Sequence, residues 1–120
     1  MSPLARVVDE HVGLIAVAAV GGEVDASNAR ELGERLHAAL TNRSRALIVD
    51  LGETSYLDSA GVNLLFALDL ELRERRQRLH LVVPPGSPIA RVLSITALDR
   101  AVSVHETREA ALESSAADDG

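Results

Sequence analysis

The segment Ala46-Leu47-Ile48-Val49-Asp50-Leu51 constrains this chain more than any other. It is rich in β-prone residues and apolar throughout, save for one acid near its end. A strand with one wet face alternates apolar and polar residues. A strand apolar along its whole length is covered on both faces, as inner strands of parallel sheets are. Parallel neighbours need crossovers, and these are usually helices. The flanking sequence supplies them. Ala29, Leu32, Gly33, Leu36, Ala39 and Leu40 recur at helical spacing, with Arg30, Glu31, Glu34 and Arg35 on the opposite face. Asp25, Ser27 and Asn28 precede this helix as N-cap candidates. A second helix is predicted from Ala60 to Gln77, apolar nearly all round from Val62 to Leu68 except at Asn63.

The remaining elements fall into the same alternation. Val7-Val8 and the run from Leu14 to Val20 are short strands, separated by a turn at His11-Val12-Gly13, and predict a hairpin. Gly21-Gly22 is expected to stop the second of them. Leu79 to Val83 is the next strand. Ser87-Pro88 reads as a helix start, with Ser as N-cap and Pro in the first turn. Val102 to Val104 predicts a last strand and Thr107 to Glu113 a last helix. The order predicts a single α/β domain: a mixed, mostly parallel sheet with an N-terminal antiparallel hairpin and helices packed against it. The small, polar and acidic segment 114–120 is expected to be a disordered tail.

Composition removes several classes of function. The 120 residues carry 18 acids against 12 bases, a formal charge of −6, which argues against nucleic-acid binding. There is no Cys, so disulfides, thiol catalysis and cysteine metal sites are excluded. Every basic residue is Arg, so no lysine can form a Schiff base or grip a phosphate. His11, His37, His80 and His105 are scattered without the spacing of a helical metal site. No metal and no cofactor are expected. The apolar stretch from Val12 to Val20 is far short of the ~20 residues of a membrane-spanning helix, and no basic leader precedes it. A soluble, cytoplasmic protein is expected.

The chemistry concentrates between the buried strand and the second helix. Gly52 to Asp58 is predicted as a loop, leading into Asp58-Ser59-Ala60-Gly61. In α/β sheets, sites gather at the carboxyl ends of strands. Asp58 and Ser59 read as an ordinary helix start. Ser59 also reads as a presented hydroxyl, and the two readings are compatible. Gly61 would allow another surface to approach closely. Thr54 and Ser55 read as loop hydrogen bonders. Arg73, Arg75, Arg76 and Arg78 read as a solvated helix end. The Gly-x-Ser-x-Gly pattern of a nucleophile elbow is missing, since Leu57 stands where the first glycine belongs, so a hydrolase is not expected.

Asp50-Leu51 closing a strand, followed by Tyr56-Leu57-Asp58-Ser59-Ala60-Gly61, resembles the signature of STAS domains, and within them bacterial anti-sigma factor antagonists. Gly22-Glu23-Val24-Asp25 and Ser87-Pro88-Ile89-Ala90-Arg91-Val92-Leu93 resemble two further segments of that family, and the likeness spans about residues 7 to 113. It implies a STAS domain over 1–113. It also implies a partner-switching mechanism. The unphosphorylated antagonist binds an anti-sigma factor that is also a serine kinase and frees the sigma factor. Phosphorylation separates the pair, and a serine phosphatase resets it. By the same resemblance the phosphoacceptor is Ser59, and ATP belongs to the kinase rather than to this chain. Many family members carry a second serine where this chain has Ala60, so here one hydroxyl stands alone. Asp25, Asp58, Ser59, Ala60, Gly61, Val62 and Asn63 are the expected partner-binding residues. For Val62 and Leu64 a place in the core is an equal alternative, and Asp25 reads also as a helix cap. The alternative function is a STAS scaffold, or a small-molecule or lipid-binding module, without a phosphorylation switch.

Overall fold

The computed structural model describes residues 6–117. Its elements are β1 (Arg6–Val12), β2 (Ile15–Val24), α1 (Ala29–Ala39), β3 (Ala46–Leu57), α2 (Ser59–Glu74), β4 (Arg78–Val82), α3 (Ala90–Ile95), α4 (Leu98–Ala101), β5 (Ser103–His105) and α5 (Arg108–Ala117). The sheet runs in the order β1-β2-β3-β4-β5. Only the β1–β2 pair is antiparallel; the other three are parallel. The apolar run from Ala46 to Leu51 therefore lies in the central strand, as its lack of alternation requires.

Its side chains divide between two faces. Leu47, Val49 and Leu51 join Leu32 and Leu36 of α1 and Leu65, Leu68 and Leu72 of α2 in the larger core. Leu93 and Leu98, from α3 and α4, extend the same cluster. Ile48 points the other way, with Val17 and Val82, and meets Ala111 of α5. Two helices and two short ones thus cover one face, and a single helix covers part of the other.

Several boundaries depart from expectation, each for a local reason. Gly21-Gly22 does not stop β2. The strand passes through two irregularities, between Ala19 and Gly21 and between Gly22 and Glu23, and continues to Val24. Gly22 takes φ +97, which its missing Cβ permits. β3 likewise continues through the predicted loop to Leu57, pairing Glu53, Thr54, Tyr56 and Leu57 with β2. The first hairpin turns at Gly13, in the left-handed region at φ +59, so His11 and Val12 belong to β1. α2 ends at Glu74 rather than Gln77: Arg76 adopts φ 59, and the Gln77 amide returns to Leu72 O at 2.8 Å. Ser87 is not the N-cap of α3. Its Oγ accepts from Ile89 N at 3.3 Å in a preceding turn, and the helix starts at Ala90. Ala97, at φ 61, breaks the chain into an additional short helix, α4. α5 passes Glu113 and reaches Ala117 with Ser115 buried, which corrects the expected tail for residues 114–117. The remainder of that expectation, 118–120, lies outside the described residues. No described helix is long and apolar enough to cross a membrane.

Candidate functional site

Because β2 and β3 both outrun their neighbours, their ends project together at one pole of the domain. Val24 lies beside Leu57 in the ladder, and Asp58 N donates to Val24 O at 3.2 Å. The chain then turns at once into α2. Asp58 is the N-cap: its extended backbone leaves the strand, and its Oδ1 accepts from Ala60 N at 2.9 Å and Gly61 N at 3.3 Å. The next donor, Val62 N, bonds to Asp58 O at 3.0 Å. One residue thus closes the strand and satisfies two amides that the first turn of a helix leaves unpaired. Ser59 becomes the first helical residue. It is exposed, and its hydroxyl bonds to no described residue.

The loop before α1 runs alongside. Asn28, buried, fastens it: its Nδ2 donates to Glu23 O at 2.8 Å and its Oδ1 accepts from Asp25 N at 3.0 Å. Asp25 O accepts from Asn28 N and Ala29 N, while Asp25 Oδ1 accepts from Ser27 N at 2.9 Å and from the Ser27 hydroxyl. Asp25 therefore shapes the turn before α1, and Asn28 holds the N-cap position without a side-chain cap bond. Since Val24 touches the Asp58 backbone, the Asp25 turn and the Ser59 turn are neighbours.

The structure brings Asp25, Asp58, Ser59, Ala60 and Asn63 to this pole, with Ser59 and Asn63 exposed and the other three half-buried. Two expectations change. Val62 is 4% exposed and packs in the larger core, so its side chain offers no docking surface. Gly61 is buried, and the surface that approaches it is the chain's own. A Cβ there would lie 2.3 Å from Leu57 Cδ1 and 2.9 Å from Val24 Cγ1. Leu64 is partly buried; its Cδ1 would lie 2.9 Å from a Cβ placed on Gly33 of α1. Thr54 is buried and donates to Val20 O at 2.8 Å, whereas Ser55 is exposed. Asn28, one of the three N-cap candidates, takes that position, but its bonds to Glu23 O and Asp25 N and the burial of Leu57 against Gly61 are fixed by the fold and carry no local signal.

Away from this pole, the scattered histidines find partners. His37 on α1 pairs through Nε2 with Glu71 on α2, and its Nδ1 donates to Gly33 O at 2.8 Å. Those two bonds, the carboxylate first, hold its pKa above the usual 6.5. His80 and His105 meet across β4 and β5, with ring nitrogens 3.0 Å apart, a proximity that a separation of 25 positions conceals. Among the described residues no three metal-ligating side chains are grouped to hold an ion. Of the arginine run, Arg73 bonds to Asp69 at 3.2 Å and to Ala101 O at 2.7 Å, while Arg75, Arg76 and Arg78 are exposed.

Known proteins share this fold. The family model described as "Mlab, STAS domain" matches residues 11–112. The anti-sigma-F factor antagonist RsfB of Mycobacterium tuberculosis is 30% identical over 105 residues, covering 88% of this chain and 84% of that protein. The crystal structure of an anti-sigma factor antagonist from Mycobacterium paratuberculosis superposes with a TM-score of 0.82, at 24% identity and 92% coverage of both chains. The antagonist SpoIIAA matches in its unphosphorylated form (TM-score 0.71, 21% identity, 90% of this chain and 94% of that one). Its phosphorylated form, from Bacillus, matches with a TM-score of 0.64 at 22% identity, covering 90% and 97% of the two chains. With the family model spanning residues 11–112 and the fold superposing on those solved relatives over most of its length, this chain belongs to the STAS domain family.

Proposed function

We propose that the protein is an anti-sigma factor antagonist that binds an anti-sigma factor with serine-kinase activity and is released from it by phosphorylation on Ser59. The observation that carries this reading is the presentation of Ser59. It is an exposed hydroxyl on the first residue of a helix, beside a capping Asp58, at the pole where two strands end. The relatives named above are antagonists of anti-sigma factors, and one of them is known in phosphorylated form. The docking surface in this reading comprises Asp25, Asp58, Ser59, Ala60 and Asn63, with Gly61 contributing backbone alone. A serine phosphatase would reset the cycle.

Phosphorylation adds about −1.5 to −2 charges at neutral pH. A partner surface shaped for a neutral hydroxyl then faces a dianion beside a carboxylate. A cost of about 3 kcal/mol at such an interface weakens binding more than a hundredfold. The test is the intact mass of the protein isolated from its native cells under growth and under stress, beside a Ser59→Ala variant. The expected result is a single phosphoryl increment that vanishes in the variant. Ser59→Ala should also capture the anti-sigma factor from those cells while Ser59→Glu does not. An unmodified mass in every condition, or equal capture by both variants, would overturn the switch.

A further inference from the structure

The sheet's second face is covered unevenly. α5 lies over Val17, Ile48 and Val82 through Ala111 and Leu112, with Ile15 at its edge. Beyond Asp50, where β2 and β3 continue past the end of β4, that face is open. A cleft of about 530 Å³ lies there. Its floor includes Val8, Ala19, Gly21 and Gly52, and Pro84 and Thr107 stand at its wall. The floor is low because its central residues are small. Val8 is an apolar side chain left 70% exposed at its border. The first irregularity of β2, between Ala19 and Gly21, falls within the floor; such bulges are frequent beside binding sites. The volume falls in the range of about 300–1,000 Å³ typical of small-ligand sites.

The charges around the cleft sort into two groups. Arg108 and Asp50 satisfy each other: Arg108 Nε and Nη2 donate to Asp50 Oδ2 at 3.1 and 2.8 Å, and Nη1 reaches Glu10 at 2.8 Å. Arg6 is different. Its guanidinium lies over Gly21, with Nη2 3.1 Å from the position a Cβ would take there. Among the described residues it pairs with no carboxylate. Glu53 stands across Gly21 in the same row of the ladder, and Glu106 lines the cleft from the turn before α5. Both are exposed, and neither pairs with a described cation. One cation and two anions are thus left to answer a ligand over an apolar floor.

We infer that this cleft binds a small zwitterion with an apolar side chain, of the class of the neutral α-amino acids. The carboxylate meets Arg6, the ammonium faces Glu53 and Glu106, and the side chain covers Val8 and Ala19. A simple anion would add to an excess of negative charge, and a simple amine would leave Arg6 unanswered. This site is separate from Ser59, and the inference is independent of the proposed switch.

The experiment is an amide NMR titration of the full chain with three probes: L-leucine, 4-methylpentanoate, which lacks the ammonium, and 3-methylbutylamine, which lacks the carboxylate. Leucine is expected to give saturable shifts at Ala19, Gly21, Gly52 and Thr107. Each analogue should bind at least about tenfold more weakly, the loss expected for one charge-assisted contact. Arg6→Gln, an exposed change at the start of β1, should weaken leucine by about the same factor and leave the amine unaffected. Absence of saturable shifts with leucine, or shifts confined to other surfaces, would overturn the inference. So would either analogue binding as tightly as leucine, a comparison that needs no variant.

Discussion

Replacing Gly61 by Ala tests how the Asp58–Ser59 turn is built, because two physical arguments give opposite signs. Helix propensity says that Ala stabilises by up to about 1 kcal/mol relative to Gly. Packing says the reverse. The new Cβ would fall 2.3 Å from Leu57 Cδ1, 3.2 Å from Leu57 Cγ and 2.9 Å from Val24 Cγ1. A leucine methyl on the surface would swing away at little cost. Leu57 and Val24 are 4% and 0% exposed, so they have no solvent to move into. Overpacking of a filled core costs about 1–3 kcal/mol. The net expectation is a loss of about 1–2 kcal/mol, or roughly 4–8 °C in Tm for a domain of this size. Urea denaturation followed by circular dichroism reads it directly as a lower midpoint at unchanged slope. A second variant isolates the cause. Leu57→Ala alone should cost about 2–5 kcal/mol through its cavity. Combined with Gly61→Ala, the two should be less than additive by about 1 kcal/mol or more, since the cavity accepts the methyl. Neutral or raised stability in Gly61→Ala, or strict additivity in the pair, would refute the close approach of α2 to the strand ends.

Two further outcomes follow from the same structure. His37 is held above its unfolded pKa of 6.5 by Glu71, so this contact stabilises the fold fully below pH 6.5 and is lost as pH rises through the raised folded value. With the two side chains 41% and 47% exposed the effect is small, and it is best read as an NMR titration midpoint of His37 that returns towards 6.5 in Glu71→Gln; an unmoved midpoint would contradict the pairing. Asp50→Asn should free the start of α5, which otherwise rests on the small apolar patch of Ala111 and Leu112, at a cost of about 1 kcal/mol. Hydrogen exchange should quicken in α5 while α1 and α2 keep their protection, and uniform protection would show that the patch alone secures the helix.

The sequence exposes the fold where burial follows a simple period, and hides it where the period breaks. Ala46 to Leu51 is apolar on both faces and declares an inner strand. From Gly52 to Leu57 only Thr54 and Leu57 are buried, every third residue rather than every second. That spacing arises from the register shifts in the β2–β3 pairing, which no local rule anticipates. The polar Gly-Glu-Thr-Ser stretch therefore reads as a loop, and Gly21-Gly22 reads as a stop. The capping turn at Asp58 and Ser59 is legible because capping is a local property. The burial of Val62, which leaves its core alternative standing, and of Gly61 is not, because their surroundings include β2 and β3, distant along the chain. The pairing of Arg6 with Gly21, and of His80 with His105, is likewise a product of strand order.

The capping geometry also bears on how a charge at Ser59 would act. A helix start ordinarily welcomes an anion, through unpaired amides and the dipole. Here Asp58 already takes Ala60 N and Gly61 N, and Asp58 O takes Val62 N, so little of that capacity remains. Phosphates that reorder a segment do so by recruiting arginines. Neither 7–29 nor 46–72, the stretches that supply the strand ends and both turns up to the start of α1, contains an Arg or a Lys. A phosphoryl group on Ser59 would therefore meet Asp58 and find no cation on these stretches to pull the turn into a new shape. Its charge would stay at the surface, and the free energy it carries would fall on whatever docks there. In this reading the domain is a rigid presenter, with the switch located in the interface and not in the fold.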